Sequence, residues 1–288
     1  MAARIVTSSY FYTYENKIKM KINNKEIALL HCPRCGGTTI EQSPDITTLG
    51  HMGIYNDINP KCERINYIYT PYDQKSAQQA VLPLSHIQKY YNLFIVRNHY
   101  SWLLSFWDWT SGLSRWNSNH HEYAISRRGF DFFVKNIIDR EDGWPSRKNI
   151  FCQMFSTDGL LIPDHILHTE ELDGEMIGLF QKHGGKWVPP PRMQIGRRHG
   201  NFGGRSAGRG KNLDPSQKVK SDKRKPHEMY SSSLAEEVYA CWKKEMDMLG
   251  YGSDPSNLIS RSSYDVLGGF VGVVDREKWR YVWRENYG

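Results

Sequence analysis

The chain has 288 residues, 39% of them apolar and 13% aromatic, which excludes disorder over its whole length and suits one large α/β domain or two small ones. No apolar run approaches the ~20 residues that cross a bilayer, and no short apolar stretch follows the first charges as it does in a signal peptide. The net charge of +7 is concentrated: Arg192 to Lys225 holds eleven lysines and arginines against two acids, which leaves the rest of the chain close to neutral.

Taken in chain order, Glu26 to His31 (EIALLH) reads as a buried strand that ends in Cys32-Pro33-Arg34-Cys35-Gly36-Gly37-Thr38-Thr39, a turn from which Thr38 or Thr39 opens a helix. Leu93 to Val96 is a second strand, ending at Arg97 and leading into a helix with Trp102, Leu103, Phe106 and Trp107 on one face. Phe130 to Ile138 has the pattern of an amphipathic helix. Ile150 to Phe155 and Ile166 to Thr169 read as two short strands around the turn Thr157-Asp158-Gly159, and Glu171 to His183 as a helix closed by Gly184-Gly185. Strands alternating with helices predict an α/β fold with a central, mostly parallel sheet flanked by helices.

Residues 186–229, with Pro189-Pro190-Pro191 and then glycine, arginine and lysine, interrupt this pattern and predict a long basic mobile loop. A helix follows from Ser233 to Leu249, where Leu234, Val238, Cys241, Trp242 and Met246 form a stripe. Residues 1–251 are expected to form one domain, and 252–288 an aromatic-rich extension whose place the pattern does not give. Five cysteines, an odd number, and the lack of an Asn-x-Ser/Thr acceptor favour a reducing compartment, so a soluble cytoplasmic protein is expected.

The segment Cys32 to Thr39 admits several chemistries. Half of a zinc ribbon needs two further ligands, and Cys62 stands alone while His51 is not spaced as a knuckle partner. A redox dithiol wants its Cys-x-x-Cys at a helix start, whereas two glycines intervene here. An anion cradle suits strand, Gly-Gly-Thr, helix: small residues let backbone N–H groups approach a phosphate, and Thr38 and Thr39 add hydroxyls. A plain structural turn with incidental cysteines is the fourth reading. The second strand end favours the cradle, since Arg97 and Ser105, eight residues on, could reach one phosphate together. The Gly-Lys-Ser/Thr of a Walker loop is absent.

Pro33-Arg34-Cys35-Gly36-Gly37-Thr38-Thr39 resembles the Pro-Lys-Thr-Gly-Gly-Thr-Ser loop of the sulfotransferases, which grips the 5′-phosphosulfate of 3′-phosphoadenosine-5′-phosphosulfate (PAPS). Arg97-Asn98-His99-Tyr100 with Ser105 resembles their Arg-Asn-Pro-Tyr…Ser element, which grips the 3′-phosphate. Further on, Phe130 to Val134 is similar to the Phe-x-x-Phe-Val helix of the carbohydrate branch. Asp158-Gly159, Asp164 and Glu170-Glu171-Leu172 resemble its strand pair, and Tyr230 through Leu249-Gly250-Tyr251 its closing helix. The likeness covers about residues 26–251. It departs at Arg34, where the family has lysine, and at His99, where it has proline.

The resemblance implies a P-loop nucleotide-kinase-like fold and in-line transfer of a sulfuryl group from PAPS to a hydroxyl, in the carbohydrate branch that of a sugar, with no metal. Arg34 and the backbone of Cys35, Gly36, Gly37 and Thr38 would hold the 5′-phosphate and the transferring group, and Thr38 and Thr39 would add donors. Arg97 and Ser105 would hold the 3′-phosphate, with Arg205, Arg209 and Lys211 closing over it. Arginine at 34 keeps the charge but is a poor proton donor. His51 is the first candidate for the base that activates the acceptor, with Asp57, Glu41 and His86 as alternatives. Trp102, Trp107, Trp109 and Trp116 could stack on sugar rings or belong to the core. Two other readings stay open: a nucleic-acid-binding protein using residues 192–225, and a nucleotide-binding but catalytically degenerate relative.

Overall fold

The computed structural model describes residues 19–41, 43–50, 53–55, 81–111, 121–140, 147, 150, 151, 154, 161–189 and 225–257. Its strands are β1 (Lys21–Ile22), β2 (Lys25–His31), β3 (Ile46–Gly50), β4 (Gly53–Tyr55), β5 (Val81–Pro83), β6 (Tyr91–Val96) and β7 (His165–His168). Its helices are α1 (Gly37–Ile40), α2 (Leu84–Ile87), α3 (His99–Ser111), α4 (His121–Ser126), α5 (Phe130–Asp139), α6 (Leu172–Lys182), α7 (Pro226–Met229) and α8 (Ser232–Met248).

One five-stranded sheet dominates, with β3, β6 and β7 all parallel to β2 and only the short β1 antiparallel to it. The apolar run of β2 follows from this placement: Ile27, Ala28, Leu29 and Leu30 are covered on both faces, where parallel strands carry continuous rather than alternating apolar residues. β4 and β5 form a separate parallel pair.

From β2 the chain first goes to β3 on one side and later to β6 on the other, so the strand order reverses at β2. In open α/β sheets such a reversal leaves a crevice beyond the carboxyl ends of the two strands, where ligands sit. Here the ends are His31 and Val96, with His31 paired to Ile95 and Val96 to His168. Both motif loops leave the sheet at this edge.

The mixed α/β architecture with a mostly parallel sheet is as expected, and the strands and helices around the two loops fall close to their expected bounds. Two local expectations differ. Ile150 and Phe151 lie in a bend and Met154 in a tight turn rather than in a strand, because the Ile150 carbonyl accepts the Cys32 thiol (3.2 Å) and Met154 N–H bonds back to Phe151 (3.0 Å). The helix after the first loop is a single turn: Ser43 N–H closes onto Ile40, and Pro44 cannot continue it. Of the expected basic loop, the described ends are ordered, with Trp187 buried against Phe180 and Pro226–Met229 helical. The aromatic-rich extension is described only to Asn257, and Tyr100 donates to the Ser253 carbonyl (2.7 Å).

Candidate functional site

The first loop reverses direction within a few residues because Arg34 and Gly36 both take left-handed backbone, with φ of 71° and 80°. Gly36 suits this conformation, whereas a side chain at 34 does not. Cys35 N–H closes the turn on the Cys32 carbonyl (3.3 Å). Cys32 and Cys35 are fully buried free thiols, so the pair is packed into the loop's base rather than presented as a dithiol. Among the described residues no group of three His, Cys, Asp or Glu side chains is arranged to hold a metal ion.

The second loop is Arg97-Asn98, capped onto α3 by the Asn98 side-chain oxygen, which accepts Tyr100 N–H at 2.9 Å. Three hydrogen bonds join it and α3 to the first loop. Arg97 Nη1 donates to the Arg34 carbonyl (3.0 Å), Arg34 Nε to Ser105 Oγ (3.3 Å), and Trp102 Nε1 to the Pro33 carbonyl (2.8 Å). Residues 63 and 71 positions apart thus share one site. Ser105, expected beside Arg97, touches Arg34, so the two expected phosphate positions adjoin.

A third segment, Thr169-Glu170 just after β7, locks both loops. The Thr169 hydroxyl lies 2.7 Å from the Cys35 carbonyl and 2.8 Å from that of Val96, and can donate to either. Glu170 Oε1 accepts Asn98 N–H (3.0 Å) and Oε2 accepts the Tyr251 hydroxyl (3.2 Å). Burial pushes the Glu170 carboxyl above its usual range, against the Asn98 hydrogen bond and the Arg97 charge. Behind it, His168 donates to Glu175 (2.8 Å) and to the Leu249 carbonyl (2.8 Å). In the sequence this segment shows as the end of a strand; its place level with the ends of β2 and β6 comes from the register.

The two arginines lie close enough for the charge of one to act on the other. Burial first, and then Arg97, pull Arg34 down to about 10, with Asp108 opposing; it remains a cation at neutral pH. Arg97 Nε is buried without a hydrogen-bond partner. Among the described residues no carboxylate lies within ion-pair distance of either guanidinium. Asp108 and Glu170 act on the two arginines only from beyond ion-pair distance, and with a buried N–H left over this is an environment that an anion completes.

Arg34, Cys35, Gly36 and Arg97 on the two loops, Gly37, Thr39 and the backbone of Thr38 in α1, and Ser105 in α3 are therefore brought together. His51, Asp57, Arg205, Arg209, Lys211, Trp116 and the Thr38 side chain lie outside the described residues. His86 stands on α2, ahead of β6, at the amino end of the sheet and against Tyr90. Glu41 adjoins the first loop and meets His31, a residue the sequence did not single out. Trp102 is core, supporting the loop, and Trp107 donates to the Ser126 carbonyl (3.0 Å). His99, where the resembling family has proline, is fully buried and pairs with Glu245 of α8 at 2.9 Å. Comparison with known protein families, with characterised proteins and with solved structures finds no match to this chain.

Proposed function

We propose that the chain is a PAPS-dependent sulfotransferase of the sulfotransferase fold, acting on a hydroxyl, in the first instance of a carbohydrate. The observation that carries this reading is the meeting of Arg34, Arg97 and Ser105, from two loops and α3 at the carboxyl ends of neighbouring parallel strands, with no described carboxylate within ion-pair distance of either arginine. PAPS carries anionic groups at both its 5′ and 3′ positions, and two adjacent cationic loops suit it better than they suit a ligand with a single phosphate.

In this reading the first loop's N–H groups and Arg34 hold the 5′-phosphosulfate, and Arg97 holds the 3′-phosphate. The sulfuryl group passes in line from a phosphate oxygen to the acceptor, with charge spreading over its oxygens. Catalysis is then positioning plus charge stabilisation by fixed donors. Arg34, always charged at working pH and forked, stabilises the leaving phosphate by charge rather than by giving up a proton.

Conversion of PAPS to adenosine 3′,5′-bisphosphate, followed by chromatography with a panel of mono- and oligosaccharides, tests the reading. Acceptor-dependent conversion is expected, with Arg97→Ala lowering nucleotide affinity about thirtyfold or more, as for a buried charged hydrogen bond. Binding without conversion by any acceptor would identify a nucleotide-binding protein that does not transfer.

A further inference from the structure

His31 is the last residue of β2, and its imidazole lies under the first loop with only 4% exposure. Its Nε2 is 2.7 Å from Glu41 Oε1, and its Nδ1 faces the Cys32 carbonyl at 3.2 Å. A Cβ on Gly37 would stand 2.3 Å from the ring, so it is the glycine that lets an imidazole lie against the loop backbone. Glu41 follows α1, its own N–H bonded to the Gly37 carbonyl at 2.9 Å. The pair therefore brackets the whole loop, one member at each end.

The two members differ in access. The Glu41 side chain is 31% exposed, against 4% for His31, so a buried imidazole holds a carboxylate that reaches solvent next to the residues that would hold the donor. An N–H that fixes one carboxylate oxygen orients the whole group, as the third member of a catalytic triad orients its base. Of the four base candidates, His51 and Asp57 lie outside the described residues and His86 is at the opposite end of the sheet, so Glu41 is the described one beside the loop.

We propose that Glu41 is the base that takes the acceptor's proton and that His31 is the positioning residue that holds it; this rests on the sulfotransferase reading. As the acceptor oxygen forms its bond to sulfur, its proton passes to the Glu41 carboxylate. The bond between sulfur and the 5′-phosphate oxygen breaks, and its electron pair stays on that oxygen, facing Arg34. Glu41 then returns the proton to water, so the products are the sulfated acceptor, adenosine 3′,5′-bisphosphate and one proton.

The test uses the full chain with water as acceptor, following release of adenosine 3′,5′-bisphosphate from PAPS, beside the affinity for that bisphosphate by calorimetry. Glu41→Gln is expected to slow release about 10²- to 10³-fold while affinity stays within about threefold, and Glu41→Asp to fall between. His31→Leu is expected to slow release about tenfold or more at unchanged affinity, and His31→Gln, which keeps an N–H near the Nε2 position, to restore most of it. Wild-type release by Glu41→Gln with the bisphosphate still bound would overturn the dyad and leave the site reading standing. Loss of affinity in step with release in His31→Leu would make His31 a loop support only, and overturn its role. No bisphosphate binding by the unaltered protein would remove both readings.

Discussion

Arg34 places its guanidinium from a backbone with φ of 71°, a conformation that costs a residue with a side chain about 1–2 kcal/mol. Such strain persists where the surroundings hold it, here through the bonds from Arg97 to the Arg34 carbonyl and from Trp102 to Pro33. Arg34→Gly is therefore expected to leave thermal stability within about 1 kcal/mol of the parent while weakening bisphosphate binding at least tenfold, measured by thermal unfolding and calorimetry on the same samples. Gly37→Ala is expected to do the reverse in proportion. Its methyl group must displace the His31 ring and costs about 1–3 kcal/mol of stability, with weaker nucleotide binding following from the shifted loop. The sequence marked Arg34, Gly36 and Gly37 through their local pattern, but His31 is legible only once the strand and the one-turn helix bring it to Glu41.

At the scale of elements, the edge of the sheet is held by β7 and the three residues after it. Two histidines on that strand carry opposite pH dependences. Burial holds His165 down at about 4, against the Glu175 charge, so the unfolded chain binds the extra proton between that value and the ordinary 6.5, and stability falls as pH drops through this window. Burial also opposes charge on His168, but the hydrogen bond and charge of Glu175 and the Leu249 carbonyl outweigh it and raise its pKa. Its stabilisation is complete below the unfolded value and is lost as pH rises through the raised folded value. Denaturant unfolding across pH is expected to show a maximum between the two windows. His165→Leu should flatten the acid side, and His168→Gln the alkaline side; an unchanged profile in either variant would contradict the assignment. β2, β6 and α3 were legible because buried parallel strands and amphipathic helices leave periodic traces. Ile150 to Met154 was not, because an apolar run does not say whether its carbonyls meet a strand or a thiol.

For the whole molecule, function follows from where the strand order reverses. The chain leaves β2 for β3 on one side and reaches β6 on the other, so both loops leave the sheet at the same end and Arg97 bonds to the Arg34 carbonyl there. A sequence shows which loops end strands but not which strands are neighbours, so the meeting of Arg34 with Arg97 and Ser105, and the lock on both by Thr169 and Glu170, needed the register. The strongly basic stretch from Arg192 to Lys225 suggested nucleic acid as a rival partner, while the sheet edge collects its own positive charge independently of that stretch. Calorimetric titration with adenosine 3′,5′-bisphosphate, beside 5′-AMP lacking the 3′-phosphate, separates these directly. Micromolar binding with at least tenfold preference for the bisphosphate is the expected result, since losing one charged contact is worth about 1.5–3 kcal/mol. Equal affinity for the two nucleotides, or binding of neither, would contradict a site built for two phosphates.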